Sequence, residues 1–146
     1  MNAVTRKPVS KGAIRVGHLI GTLPALLLVL DGAMKLFKPE PVVTATTELG
    51  YPEGVIVPLG CVLLICAILY LIPRTAVLGA ILLTGYLGGA VATHVRAAHP
   101  MFETLFPVAF GALLWGGLVL RDPRLRALVP LRRSLEHSPA VDTEKT

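Results

Sequence analysis

A chain of 146 residues that is 53% hydrophobic and only 16% charged, with a mean hydropathy of +0.69, lacks the composition of a soluble domain. Soluble domains carry about a quarter of their residues as charges. The net charge of +5 would suggest nucleic acid in a soluble protein. Here the basic residues flank apolar runs instead, so they read better as a topology signal beside anionic lipid than as a nucleic-acid patch. Nothing outside those runs is large enough to hold a nucleotide.

In chain order, uncharged runs cover 16–30, 54–73, 75–95 and 104–120. About 20 residues are needed to cross a bilayer as a helix. Arg6, Lys7, Lys11 and Arg15 precede the first run, and residues 31–37 extend it to spanning length, predicting a helix over 15–37. A signal peptide is the competing reading. No convincing small-x-small cleavage site follows, Asp31 interrupts, and the apolar pattern resumes, so the helix is expected to be retained. Lys38-Pro39-Glu40-Pro41 then stops it. A short helix over 41–49 is expected next, with Pro41 in its first turn and Gly50 just past its end. It lies across the bundle as a cap.

The second spanning helix is expected over 54–72, with Pro58 tolerated near its start. Pro73-Arg74 makes a tight turn, so the third helix, 75–98, runs antiparallel beside it. His99-Pro100 separates it from the fourth, 101–120, in which Pro107 introduces a mild kink. The fold class is therefore an all-α polytopic membrane four-helix bundle in one domain. Residues 1–14 form a basic N-terminus, 15–128 the four-helix domain with an outer loop over 38–53, and 129–146 a polar tail expected to be disordered. Arg74 and the five arginines from Arg121 to Arg133 share a side with the N-terminus. The positive-inside rule places both termini in the cytoplasm.

Packing in lipid depends on close backbone approach by small residues. Gly17-x-x-x-Gly21 on the first helix, Gly85-x-x-x-Gly89 with Ala92 on the third, and Ala112-x-x-x-Gly116 on the fourth supply candidates. Helical stepping puts Gly17, Gly21, Pro24, Leu28, Asp31 and Lys35 on one stripe, and Gly85, Gly89, Ala92 and Arg96 on another. Asp31 and Lys35 sit about 9 and 3 Å below the outer end of their helix. Charges at membrane depth are costly and mark function by default. Asp31, Lys35, Glu48, Arg96 and Glu103 therefore form the candidate ligand-binding pocket, facing outward. Asp31 is expected to pair with Arg96, and Lys35 with Glu48 or Glu103. The plain alternatives are that Asp31 and Lys35 pair with each other, and that Lys35 and Arg96 snorkel to the head groups.

Cys61 and Cys66 lie about 140° apart around one helix, cannot pair with each other, and match no C-x-x-C motif. They are expected to be small core residues. His18 and His94 are expected to be interfacial or satisfied rather than ligands, and no metal or haem motif is present. Tyr51, Tyr70, Tyr86 and Trp115 are expected to be ordinary interfacial or packing aromatics. There is no phosphate loop, H-E-x-x-H or G-x-S-x-G.

DGAMKLF in the first helix, ELGYP before the second, LIPRTAVLGAILLTGYLGGAVATHVR across the third and W-x4-L-RD-x-RLR after the fourth resemble the DoxX-like family. The resemblance covers about 15–128. It implies a small four-helix protein of the bacterial inner membrane. The broader group includes subunits of quinone-linked sulfur oxidation and complexes tied to oxidative-stress defence, and distant animal relatives resemble membrane assembly factors. Cysteine-active relatives use motifs absent here. The resemblance implies a redox- or stress-linked membrane subunit without autonomous catalysis, with a membrane or redox protein partner; the mixed charges of Asp31, Lys35 and Arg96 beside apolar surface would suit a quinone-like or small amphipathic molecule. The alternative is a noncatalytic assembly partner or small-molecule permease. The pathway version needs polar residues continuing below Asp31, where the stripe offers only Leu28, Pro24 and glycines.

Overall fold

The structure, a computed structural model, describes residues 11–128 and the side chains of 12–125. Most of the expected N-terminal segment and the whole tail from 129 lie outside the described residues. The order is α1 (Lys11–Phe37), α2 (Glu40–Glu48), a 3-10 turn (Glu53–Val55), α3 (Ile56–Leu71), α4 (Ala76–Arg96), α5 (Met101–Arg121) and α6 (Pro123–Leu128), with no strand among the described residues. Four stretches are long and apolar enough to cross a membrane: Gly12–Phe37, Glu53–Leu71, Ala76–Arg96 and Met101–Arg121. The expected helices are all present, with α1 starting earlier than expected, at Lys11.

The four long helices form a ring in the order α1, α3, α4, α5, and each packs on its two neighbours. Two ends result. The cap end carries α2 and the α4–α5 turn; the terminal end carries the start of α1, the α3–α4 turn and α6. Leu63, Leu83, Leu114, Ala67 and Tyr70 fill the centre. Leu19, Leu23, Ile65, Ile81 and Phe106 stand exposed on the outside, as a hydrocarbon solvent permits.

Glycine sets the spacing of α1. A Cβ on Gly117 would lie 2.5 Å from the Gly21 Cα and 2.8 Å from the Gly17 oxygen, so α1 and α5 touch backbone to backbone. Gly32 and Gly60 do the same between α1 and α3, where a Cβ on Gly60 would lie 2.9 Å from the Gly32 oxygen. Tyr70 anchors the terminal end. It is fully buried, its hydroxyl donates to the Leu114 carbonyl at 2.8 Å, and Arg121 sits 5.0 Å above its ring.

The expected packing role of Gly17 and Gly21 is met, and that of Gly85 and Gly89 is not. A Cβ at Gly85, Gly88, Gly89 or Gly116 would meet nothing within 4 Å. The α4 stripe of Gly85, Gly89, Ala92 and Arg96 faces outward. Because α1 and α5 close in through glycine, α4 must fill the opposite side of the core. It does so with its bulkier line of Leu83 and Leu87. On α5 the contact is made by Gly117, not by the expected Gly116. Cys61 and Cys66 are free thiols within α3, as their spacing requires.

Candidate functional site

One group of polar side chains gathers at the cap end, and α2 organises it. Its C-terminus is closed by Gly50 in the left-handed region, at φ +83°. The Gly50 amide bonds the Thr47 carbonyl and the Tyr51 amide reaches back to that of Thr46. This is a Schellman closure, which glycine favours because it lacks a Cβ. It aims Tyr51 at α4, where its hydroxyl meets the Thr93 hydroxyl at 2.8 Å. Arg96 donates to the Leu49 carbonyl at 2.8 Å, satisfying one of the orphan acceptors a helix end leaves.

These contacts fix the cap to α4, and their loss is measurable. Gly50→Ala forces a side chain into the left-handed region, where its Cβ would lie 3.3 Å from the Arg96 guanidinium. The expected cost is about 1 kcal/mol. Tyr51→Phe is expected to cost a further ~1 kcal/mol, one net hydrogen bond. Hydrogen exchange should show residues 40–50 opening first, with the four long helices still protected. Unchanged protection in the double variant contradicts the assignment.

Below the cap, Lys35 donates to Asp31 at 2.5 Å, one helical turn away. The Asp31–Arg96 and Lys35–Glu48 or Lys35–Glu103 pairs expected from the stripes do not form. Arg96 is spent on the cap carbonyl, and Lys35 is pinned between α1 and α3, with its Cβ over Gly60. The pair is asymmetric: the Lys35 side chain is 15% exposed and that of Asp31 is 48%. Tyr86, on the diagonally opposite α4, is partly buried and packs against the core. Its hydroxyl makes no hydrogen bond among the described residues. Glu48 is exposed and has no hydrogen-bond or ionic partner among them. Lys38 approaches Glu53 at 4.0 Å across the cap.

Glu103, at the start of α5, belongs to another neighbourhood. Its Oε2 lies 2.5 Å from His99 Nδ1 and 3.9 Å from His94 Nδ1. The five expected residues thus share one end but not one pocket. Asp31 and Lys35 are together, Arg96 and Glu48 lie around the cap, and Glu103 stands by the histidines.

Sequence reasoning took Tyr51 and Tyr86 for ordinary aromatics and did not single out Thr93 or His99. A signal existed for three of them. Tyr86 and Thr93 lie seven apart on one face of α4, and the G-Y step after α2 announces a glycine closure that aims the next side chain. Two grooves also lie among the described residues. One, of about 320 Å³, runs between α4 and α5 along Gly88, Gly111 and Trp115, whose indole donates to Thr84 at 2.8 Å. The other, of about 190 Å³, lies at the terminal end beside His18, Arg121 and Asp122.

No curated protein and no solved structure matches the chain. The sequence model of the DoxX-like family matches residues 19–117, from within α1 to within α5. The match takes in the cap, the Asp31–Lys35 pair and the whole of α4, so this multi-pass membrane chain belongs to the DoxX-like family.

Proposed function

We propose that the protein is a non-autonomous membrane subunit whose cap end faces outward and binds a quinone-like or other small amphipathic molecule. One observation carries this. On the stripe α1 turns to the core, Asp31 is half exposed and holds the ammonium of Lys35, whose side chain is 15% exposed, while on α4 the hydroxyl of the partly buried Tyr86 has no hydrogen bond among the described residues. A ring carbonyl needs donors, and Lys35 and Tyr86 are the two we assign to it. Arg15, Arg74, Arg121 and Arg124 all lie at the terminal end, which supports cytoplasmic termini in the inner membrane. Oxidation or reduction of the ligand is assigned to a protein partner.

Titration of the purified protein with a short-tailed ubiquinone analogue tests the reading. At 100 times its Kd, a ligand stabilises the folded state by about 2.7 kcal/mol. We expect a thermal shift of that size for the unaltered protein and its loss in Tyr86→Phe. The absence of any shift up to the solubility limit contradicts quinone binding.

An assembly role is the second reading, favoured by the outward glycines of α4, since small residues let a partner helix approach closely. The permease alternative draws no support. Below Asp31 the interior is closed by Leu28, Cys66, Leu83 and Leu87; among the described residues the buried polar side chains are Thr46 and Thr93, both toward the cap end, and Tyr70, whose hydroxyl is taken by the Leu114 carbonyl.

A further inference from the structure

The end of α4 carries an unusual closure. Ala98 takes the left-handed region, at φ +53°. Its amide bonds the Val95 carbonyl, and the His99 amide reaches back to that of His94. This is again a Schellman closure, in which the side chain after the turn folds over the one that opens it. That contact is normally apolar. Here it joins two imidazoles, edge to face, with ring centres 5.2 Å apart. Pro100 then starts α5, and Glu103 rises beside them one turn in.

The result is a convergence of three donor atoms. His94, His99 and Glu103 each offer one ligand atom, and these atoms all lie within 4.8 Å of one another. The His94 Nδ1 is itself buried and is the one buried side-chain nitrogen or oxygen, among the described residues, with no hydrogen-bond partner. Such a group is costly to leave unmade and calls for an explanation. The His99–Glu103 contact does not supply one, since it leaves His94 out.

We propose that His94, His99 and Glu103 form a binding site for a divalent first-row transition ion, with zinc the favoured occupant. Two imidazoles and one carboxylate are a zinc-type donor set, with metal–ligand distances of about 2.0–2.2 Å. In a tetrahedral site such distances separate ligand atoms by about 3.3 Å. The 2.5 Å pair has to open slightly and the 3.9 Å pair to close slightly, which side-chain rotation achieves. Imidazole suits zinc, whereas calcium and magnesium prefer oxygen. Only three protein ligands converge among the described residues, so the fourth position is open to water or to an anionic ligand. Since Thr93 and Arg96 flank His94 and hold the cap, an ion here also stiffens the α4 terminus to which α2 is fixed.

This inference is independent of the quinone reading. Its test uses the full chain, purified in mild detergent with a histidine-free tag and stripped by a chelator. Calorimetric titration with zinc chloride should give one ion per chain. His99→Gln and Glu103→Gln should each weaken binding by more than about 100-fold, beyond the loss that an outer-shell partner causes. His18→Gln, at the opposite end, should bind as the unaltered protein does. Copper(II) loading of the unaltered protein, with pulsed electron paramagnetic resonance, should detect two imidazole nitrogens on the ion. That measurement requires no variant to fold. The absence of 1:1 binding, unaltered affinity in a folded His94→Gln/His99→Gln double variant, or a copper spectrum without imidazole each overturns the site.

Discussion

Replacing Gly117 by alanine is expected to destabilise the bundle by about 2 kcal/mol or more, at the upper part of the range for overpacked interiors. The methyl group would meet the Gly21 backbone at 2.5–2.6 Å, and backbone cannot rotate away as a side chain can. Relief requires α1 and α5 to separate along the contact that brings them together. The same substitution one residue earlier, Gly116→Ala, meets open space. It is expected to be between neutral and about 1 kcal/mol stabilising, the helix-propensity gain of alanine over glycine. Thermal unfolding of the two variants in detergent, followed by helical circular dichroism, makes the comparison. Equal effects would show that α1 and α5 are not in glycine contact. Gly85→Ala and Gly89→Ala should behave like Gly116→Ala in the isolated chain.

Asp31→Asn is expected to cost about 2 kcal/mol. Breaking a buried ion pair from one side costs about 3–5 kcal/mol, and the half exposure of Asp31 calls for a discount. The cost arises because Lys35, only 15% exposed, is left as an uncompensated charge. Lys35→Met should cost less, about 1 kcal/mol or below, since the carboxylate left behind is half exposed and can be hydrated. The double variant should recover most of the loss, because two neutral groups leave no buried charge. Chemical unfolding of the three variants gives the coupling energy. If Asp31→Asn matches the unaltered protein, the pair contributes no stability and Asp31 serves the ligand alone.

The helices were legible because length and punctuation are strong signals in a membrane chain. Uncharged runs near spanning length, Pro39 and Pro41 after α1, and the Pro73 turn leave little freedom. The inward face of α1 was legible too, since Gly17, Gly21, Leu28 and Lys35 follow one stripe. The face of α4 was not. In a helix apolar all round, hydrophobicity does not separate core from lipid, and the small residues that suggested a contact can equally face out. What decided between them was the volume left by α1 and α5, which belongs to the assembled bundle.

Most of the candidate site was legible as a neighbourhood, and of the pairs weighed only the plain alternative, Asp31 with Lys35, forms. Periodicity brought Asp31, Lys35, Arg96 and Glu103 to one end. It could not foresee that the Leu49 carbonyl would claim Arg96, because that acceptor exists only once α2 folds over α4. His99 was hidden for a related reason. It follows the helix, and only the left-handed Ala98 returns it to His94. Alanine gives no warning of that conformation, as glycine would.

The central claim is that the cap end holds a small amphipathic molecule against Asp31, Lys35 and Tyr86. The most direct measurement is to purify the protein from its membrane in mild detergent, extract it, and identify by mass spectrometry what accompanies it. The account predicts a quinone-like molecule in stoichiometric amount, retained by Gly116→Ala and lost from Tyr86→Phe. A protein free of any such molecule but reproducibly joined to a partner protein would contradict it and make Asp31 and Lys35 a structural pair.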